Sequence, residues 1–347
     1  MTNISKELNT GNGPRRYFSS GTSAQKVSFN SIPIIDFSAM FGDDEDKKMI
    51  VGEDVRKACV EVGFFYIKNH NVDKNIIRNT FNEAEKFFDA PVEEKMEVNI
   101  ENSETLRGYT ALLAAEHEGS GKDFHEGFDL ALDLDLSDED VKSGVFGYGP
   151  NQWPSGRETF KNALLTYHSS MLDFGKKIFE SFALALELPI NHFESAITKP
   201  MAHMRVLHYP PQDPKSGTEQ MGIGAHSDYE CFTILCTSDV PALQVLNTDG
   251  IWIEAPPITE AFIVNVGDLM ARWTNDYFQS TVHRAINLSG RRRYSIPFFY
   301  GPNSKEIIEV LPSCQSEIAK AKYDPIQAGE YIKSRFDDTY VHLQEEN

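Results

Sequence analysis

A histidine and an aspartate stand two residues apart in GIGAHSDYECFTILC, the stretch that covers residues 222 to 236. Alternate residues of a strand point to the same side, so His226 and Asp228 can aim at one point. An imidazole and a carboxylate so close together suggest a transition-metal site, which would need a third ligand. A bare His-x-Asp pair also occurs by chance, so the rest of the sequence has to decide.

A third ligand is predicted downstream, at His283 in the strand-like segment STVHRAI. The alternative pair His192 and Glu194 stands where a helix ends, and residues two apart on a helix diverge. Two histidines and one carboxylate form the facial arrangement of non-haem Fe(II) oxygenases, which leaves positions open for a co-substrate and dioxygen. Such a site carries a charge of about +1 and favours an anionic chelating ligand.

An anionic chelator requires a counter-charge, which the segment RRRYSIPFF can supply. Arg293 and Ser295 are two apart on a predicted strand, and a guanidinium with a hydroxyl is a suitable clamp for a carboxylate. Arg205 and Tyr209 share one face of another predicted strand, MRVLHY. Tyr209 can donate to a bound carboxylate and Arg205 can contact co-substrate or substrate, unless they are a core tyrosine and a surface arginine.

The spacing of apolar residues in the elements that must position these side chains changes along the chain, from helical to strand-like. From about residue 202 to 310 the apolar period falls from 3.6 towards 2, and turns rich in Gly, Pro, Asn or Asp separate most segments. This pattern predicts a sandwich or a barrel. The predicted strands are MRVLHY, ECFTILC, ALQVLN, IWIEA, AFIVNV, STVHRAI and RYSIPFFY.

The front half of the chain has a helical period, and its longest predicted helix covers about residues 157 to 188. The apolar residues of this helix recur in steps of four and three, which is typical of a stripe that faces a core. Residues 100 to 157 are loop-rich. The other predicted elements are strands at 31 to 38 and 63 to 72, helices at 50 to 62 and after the capping residue Asp73, and a last helix after Asp324 and Pro325.

Composition excludes several classes of partner. The 347 residues are 40% hydrophobic, enough for a sizeable core, and the net charge of -19 repels nucleic acid and anionic membranes. The four cysteines form no CxxC pair, and Cys231 and Cys236 are expected to pack as small hydrophobes in a reducing, cytoplasmic compartment. Residues 15 to 20 resemble the end of a mitochondrial presequence, which leaves mitochondrial targeting as an alternative.

The motifs above resemble the signature of a known family. HSD at 226 to 228, His283 and RYS at 293 to 295 are similar to the isopenicillin N synthase-like family of 2-oxoglutarate- and Fe(II)-dependent oxygenases. The resemblance extends over residues 31 to 340 through IPIIDFS, GFFYIKNH, RGY, LHYPP and NVGDLMARWTND. It implies a mostly β core with flanking helices, the distorted double-stranded β-helix or jelly roll.

Composition and periodicity indicate domain limits, and the resemblance implies roles for particular residues. Residues 1 to 29 are interpreted as a flexible tail and 30 to 347 as a single oxygenase domain, with a helical half at 30 to 200, a jelly-roll core at about 202 to 310 and a C-terminal helix at about 324 to 340. The implied ligands are His226, Asp228 and His283 for Fe(II), Arg293 and Ser295 for the distal carboxylate of 2-oxoglutarate, and Tyr209 near its other end.

Two branches of the family look similar to this chain. VNVGDLMARWTND and RYSIPFF are similar to fungal thymine hydroxylase, and ALELPINHF and GIGAHSDY to the microbial ethylene-forming enzyme, which lacks the serine matched here by Ser295. In both branches the arginine that matches Arg205 belongs to the active site. In thymine hydroxylase the aromatics that match Tyr229 and Phe299 help to hold the base. These three residues are therefore expected to contact the substrate.

The implied activity is oxidation, by hydroxylation in the simplest case, of a C–H bond of a small molecule with release of succinate and CO2. Fe(II), the co-substrate 2-oxoglutarate, O2 and ascorbate as reductant are the implied cofactors, and the protein is expected to be a monomer. The alternatives are a 2-oxoglutarate-independent oxidase of the same family, a non-catalytic small-molecule binding protein, and a zinc hydrolase, which would not need the Arg293 clamp. Pyrimidine-like bases, amino acids and secondary metabolites all remain open as substrates.

Overall fold

The computed structural model describes residues 5–11, 13–18, 32–114, 116–117, 121–212 and 220–344. Its helices and strands are numbered here in chain order. The helices are α1 Glu45–Glu61, α2 Lys74–Phe88, α3 Val92–Met96, α4 Glu139–Lys142, α5 Glu158–Ala185, α6 Asp268–Trp273 and α7 Ala328–Gln344. The strands are β1 Ser5–Thr10, β2 Gly13–Phe18, β3 Ile34–Asp36, β4 Phe64–Lys68, β5 Gly108–Thr110, β6 Glu116–His117, β7 Gly121–Lys122, β8 Glu126–Leu130, β9 Pro200–Tyr209, β10 Ile223–His226, β11 Phe232–Thr237, β12 Leu243–Leu246, β13 Trp252–Glu254, β14 Ala261–Val266, β15 His283–Ala285, β16 Arg293–Asn303, β17 Ile307–Ile308 and β18 Ile326–Gln327.

The larger sheet has eight strands in the order β3-β4-β14-β11-β16-β9-β8-β5. All neighbours are antiparallel except β3 and β4. Its two longest strands, β9 and β16, pair with Arg293 opposite Tyr209 and Ser295 opposite Leu207. Because side chains alternate along a strand, these four residues lie on one face of the sheet.

The smaller sheet, in the order β10-β15-β12-β13, packs against the inner face of the larger one. Leu243 and Val245 of β12 form a buried cluster with Phe64 and Tyr66 of β4 and with Ile263 of β14. Two sheets closed over such an apolar layer form a jelly-roll core. The jelly roll predicted from the sequence is therefore confirmed. The candidate site lies between these sheets.

The outer face of the larger sheet is covered by helices α1, α2 and α5. The apolar stripe predicted for the long helix is buried along its length, and Phe182 of α5 packs edge-on at 5.4 Å against Phe232 of β11. Asp73 caps α2 as predicted, because its side chain accepts the backbone N–H of Asn75 at 2.7 Å. The helices thus bury the outer face of the sheet, and the inner face carries both the apolar layer shared with the smaller sheet and the polar residues of the candidate site.

The largest difference between prediction and structure concerns residues 100 to 157, which were predicted to be loop-rich. It contributes β5 and β8, which extend the larger sheet beyond β9. The sequence EGFDL of β8 lacks a strand signal because it carries two carboxylates, yet it is buried throughout. Glu126 is paired there with Lys95 at 2.7 Å and with His208 at 2.7 Å, so that its charge is compensated inside the protein.

The N-terminal residues also differ from the predicted flexible tail. Strands β1 and β2 form an antiparallel hairpin, whereas residues 1–4, 12 and 19–29 of the predicted tail lie outside the described residues. Leu8 is buried in a cluster with Leu246 and Trp252, and the backbone N–H of Gly11 donates to Asp268 Oδ2 at 3.0 Å. The hairpin could not be predicted from the sequence, because the segment is polar and its one buried apolar residue, Leu8, gives no periodic pattern.

The remaining general predictions concern cysteines and membranes. All four cysteines are free thiols, and Cys231 and Cys236 are buried in the main core as predicted. No helix within the described ranges combines the length and the apolar character that a membrane span requires.

Candidate metal centre and its pocket

The three predicted ligands come together at one edge of the smaller sheet. His226 is the last residue of β10 and lies opposite His283, the first residue of β15. Asp228 follows the end of β10 instead of continuing the strand, and its Oδ1 is 3.5 Å from His226 Nε2 and 3.6 Å from His283 Nε2. Among the residues that the structure describes, this is the one group of three such side chains whose ligand atoms all lie within 4.8 Å.

Backbone carbonyl groups fix the protonation of both imidazoles. His226 Nδ1 lies 2.8 Å from the oxygen of Gly224, and His283 Nδ1 lies 3.1 Å from the oxygen of Thr281. Because a carbonyl oxygen only accepts, each Nδ1 carries the proton and donates it. Both Nε2 atoms therefore present lone pairs, as metal binding requires.

The carboxylate of Asp228 is held from behind by two polar side chains. Its Oδ2 accepts from Asn265 Nδ2 at 2.7 Å and from the Thr233 hydroxyl. Burial acts to raise the pKa of Asp228, but the neighbouring imidazoles of His283 and His226 and the hydrogen bond from Asn265 outweigh it and hold this pKa below its usual range. An ionised oxygen, Oδ1, is thus left facing the two imidazoles.

The turn that carries Asp228 is anchored by the fully buried Asp268. The N–H of Asp268 donates to the carbonyl of Asp228 at 2.8 Å, while its side chain accepts from Ser227 Oγ at 3.0 Å and Ser280 Oγ at 2.6 Å. The preceding Gly267 allows this approach, because a Cβ there would stand 2.1 Å from the carbonyl oxygen of Glu230. The segments before two ligands are therefore tied to a single carboxylate.

The predicted clamp for a co-substrate lies on β9 and β16. Arg293 and Ser295 are each only 2% exposed and Tyr209 1%. The Tyr209 hydroxyl is 3.3 Å from Ser295 Oγ, and the Arg293 guanidinium stacks 4.5 Å from the centre of the Tyr209 ring. Arg293 Nε and Nη1 have no hydrogen-bond partner in the described part of the chain. Since a buried cation needs an anion, this environment fits a carboxylate group.

The predicted substrate residues line the same cavity as the ligands and the clamp, a space of about 160 Å³. Arg205 does not follow the surface alternative, since its Nε lies 2.9 Å from Oδ1 of the buried Asp129. Phe299 contributes to one wall. Tyr229 packs edge-on against Phe336 of α7 at 5.7 Å, so that the last helix closes the cavity on one side.

Several lining residues were not predicted from the sequence. Asp129 comes from β8, in the region interpreted as loop, and no pattern marked it. Glu230 lies two residues after Asp228 and is buried; burial and the charge of Asp228 raise the pKa of Glu230 to about 8. Arg284 follows His283, donates to Gln244 Oε1 at 2.8 Å and stacks 4.0 Å from the centre of the Trp252 ring. For Glu230 and Arg284, the one signal in the sequence is that each lies within two residues of a predicted metal ligand.

Two family models match most of the described chain. Residues 32–156 match the N-terminal domain of non-haem dioxygenases in morphine synthesis. Residues 200–302 match the 2OG-Fe(II) oxygenase superfamily. The second match contains every predicted ligand of metal and co-substrate.

Individual relatives are similar over nearly their whole length. The 2-oxoglutarate-Fe(II) type oxidoreductase hxnY of Emericella nidulans is 34% identical, over 89% of this chain and 90% of its own. Homoarginine-6-hydroxylase 2-ODD-233 of Oryza sativa subsp. japonica is 32% identical, over 90% of this chain and 98% of its own. Among solved structures, the full-length thymine hydroxylase of Neurospora crassa in complex with alpha-KG superposes with a TM-score of 0.80 at 29% identity, covering 89% of this chain and 96% of that one.

Proposed function

The chain belongs to the 2OG-Fe(II) oxygenase superfamily, and on this premise we propose that it hydroxylates a C–H bond of a small molecule at the site described above. It is an Fe(II)- and 2-oxoglutarate-dependent oxygenase of a small-molecule substrate.

His226, Asp228 and His283 are proposed as the protein ligands of Fe(II). Their donor set fits that metal, with two neutral imidazoles and one ionised carboxylate, and their separations approach the roughly 3 Å expected for ligands at right angles on one ion. When bound, Fe(II) supplies the activation of dioxygen, coupled to decarboxylation of 2-oxoglutarate to succinate and CO2. Asn265 and Thr233 keep Asp228 Oδ1 turned towards the imidazoles.

Arg293, Ser295 and Tyr209 are proposed to hold the distal carboxylate of 2-oxoglutarate. The observation that carries this proposal is the buried Arg293 guanidinium, which has two N–H positions without a partner in the described residues and faces the cavity of the metal ligands. A carboxylate that accepts from Arg293 and Ser295 gains charge-assisted hydrogen bonds where water is excluded. These contacts orient the co-substrate towards the metal ligands.

Arg205, Tyr229 and Phe299 are proposed to contact the substrate at the other end of the cavity. Along β9, Arg205 is four residues from Tyr209, a separation of about 13 Å at the usual rise of a strand. The Neurospora crassa thymine hydroxylase has been solved with thymine bound, and another relative is named as a homoarginine hydroxylase. These two proteins support a substrate about as large as thymine or homoarginine for this chain.

We also propose that the enzyme acts as a monomer in the cytoplasm. Four free thiols, three of them buried, favour a reducing compartment. Gel filtration and the fractionation of cells that express the protein would test both statements.

The function is tested by measuring succinate release over pools of small molecules, with Fe(II), 2-oxoglutarate, ascorbate and air. A pool that contains the substrate should raise succinate release above the substrate-free rate, and His226→Ala should abolish that release while the protein stays folded. Product formation without added 2-oxoglutarate would instead support the oxidase alternative. Absence of succinate with every pool, from protein that binds Fe(II), would contradict the proposal.

A further inference from the structure

Asp129 lies at the end of the cavity that is remote from the 2-oxoglutarate clamp. On β8 it pairs with Arg205 of β9, and Phe299 of β16 pairs with His203 of β9. His203, Arg205 and Tyr209 all face inwards because they alternate on β9. Asp129 therefore stands beside Arg205 on the neighbouring strand, and Phe299 lies one strand further on, beyond His203.

A line of hydrogen bonds holds Asp129 from behind. Arg107 is anchored by the carbonyl groups of Thr105 at 2.7 Å and Gly147 at 2.9 Å, and its Nη1 lies 3.4 Å from His203 Nδ1. A guanidinium only donates, so Nδ1 accepts and the proton of the neutral imidazole is on Nε2. His203 Nε2 then donates to Asp129 Oδ1 at 2.7 Å. Burial lowers the pKa of His203, in agreement with a neutral ring.

The charge of Asp129 is compensated on the same oxygen. Arg205 Nε lies 2.9 Å from Oδ1, and the carboxylate is only 2% exposed. Burial acts to raise the pKa of Asp129, but the charge of Arg205 and the hydrogen bond from His203 outweigh it, so this pKa is lowered. The group is an ionised carboxylate within an ion pair, with no excess negative charge left to attract a cation.

The second oxygen of Asp129 is different. Oδ2 is buried and has no hydrogen-bond partner among the described residues. A buried carboxylate oxygen without a donor is costly and rare in folded proteins. Gly127 lies on the same face of β8, and a Cβ there would come within 3.8 Å of Oδ2 and 3.1 Å of Leu207 Cδ2. The missing side chain at Gly127 keeps space open beside the unsatisfied oxygen.

We propose that Asp129 determines substrate specificity, by accepting through Oδ2 a hydrogen bond from an uncharged N–H group of the substrate. This inference rests on the proposed function of the cavity as the substrate site. Because Arg205 already balances the carboxylate, a neutral donor satisfies Oδ2 without burying a further charge, whereas a cationic donor would bury one. Tyr229, Phe299 and Phe336 provide flat apolar walls. The favoured class is therefore a flat, uncharged amide or lactam.

Matched compounds that differ only in this hydrogen test the proposal. Uracil and 1,3-dimethyluracil, and 2-pyridone and N-methyl-2-pyridone, would be titrated calorimetrically into wild-type protein under nitrogen with Fe(II) and 2-oxoglutarate. Homoarginine serves as the cationic probe. In at least one pair, the N–H compound should bind about tenfold more tightly than its N-methyl partner, as expected for one hydrogen bond to a charged acceptor.

A conservative variant tests the residue itself. Asp129→Asn keeps an acceptor for His203 and offers an amide N–H where Oδ2 stood, so the preference for N–H compounds should fall about tenfold while 2-oxoglutarate binding persists. Asp239→Asn, at an aspartate whose side chain is 81% exposed, should change neither value. The wild-type comparison needs no variant, so it remains decisive if Asp129→Asn does not fold.

Other outcomes separate this inference from the proposed function. Equal binding within both pairs, tighter binding of homoarginine, or binding of no probe would each overturn the role of Asp129 if the wild type still binds 2-oxoglutarate. An unchanged preference in Asp129→Asn would overturn it as well. Failure of the wild type with Fe(II) to bind 2-oxoglutarate would overturn the proposed function itself.

Discussion

At the scale of single residues, the candidate site depends on partners that the spacing of the ligands does not reveal. His226, Asp228 and His283 could be predicted, because their residue types and the family resemblance mark them. Asn265 and Thr233 could not, because their role follows from the register of β11 against β14, where they lie opposite each other. A sequence specifies such a pairing only through the whole sheet.

Replacement of Arg293 by leucine should impair 2-oxoglutarate binding selectively. The variant removes the cation that faces the cavity, so the KM for 2-oxoglutarate should rise about a hundredfold, as for loss of one partner of a buried charge pair. Fe(II) affinity should stay within about twofold, because Arg293 is not among the proposed metal ligands. Steady-state kinetics and metal titration check this, with Arg293→Lys as the variant that retains the charge. Equal loss of both affinities would indicate a structural role.

Replacement of Asn265 by alanine should weaken metal binding without unfolding the protein. The variant removes a hydrogen bond of 2.7 Å to Asp228 Oδ2 and frees the carboxylate to rotate. Loss of such an outer partner typically costs about 10- to 100-fold in metal affinity. A competition titration with a chelator measures the loss, and Asn191→Ala at an exposed asparagine is the control. Unchanged affinity would show that Thr233 alone suffices.

At the scale of elements, α7 is the helix that closes one side of the candidate cavity. Phe336 packs edge-on against Tyr229, and the Arg335 guanidinium stacks on the same ring at 5.0 Å. The sequence predicted this helix but not what it covers, because contact with a turn more than a hundred residues earlier leaves no local pattern. The same reason explains why β8 was missed.

Replacement of Phe336 by alanine should therefore affect substrate more than co-substrate. The ring is partly buried against the cavity, and loss of this apolar contact should raise the substrate KM about five- to tenfold. The KM for 2-oxoglutarate should remain unchanged. Lys333→Ala, on an exposed face of the same helix, should have no effect on either constant. An increase in both constants would mean that α7 supports the whole site instead of the substrate end.

At the scale of the whole molecule, the jelly roll could be predicted from the change of period near residue 202 together with the resemblance. The N-terminal hairpin could not, since only Leu8 of its described side chains is apolar and buried. Asp268 connects distant parts of the chain, because it accepts from Gly11 near the N-terminus and from serines beside His226 and His283. One buried carboxylate thus joins the hairpin to the candidate metal centre.

Replacement of Asp268 by alanine should lower both stability and metal affinity. Two serine hydroxyls and one backbone N–H lose their acceptor, so the free energy of unfolding should fall by about 3 kcal/mol. Urea denaturation and a metal titration check the two effects, with Asp249→Ala at an exposed position as control. A loss of stability without any loss of metal affinity would show that the ligand turn holds its shape unaided.

In the proposed site, strand β9 sets the distance between the co-substrate, held beside Tyr209, and the substrate, contacted by Arg205. Its hydrogen bonds to β8 and β16 fix that span, and an inserted residue would turn one of the two ends away from the cavity. A bulkier substrate cannot increase the distance between the proposed binding positions at Tyr209 and Arg205. In the proposed site it has to extend past Tyr229 and Phe336, so substitutions in α7 are those that could admit new substrates with least disturbance to the proposed metal and co-substrate sites.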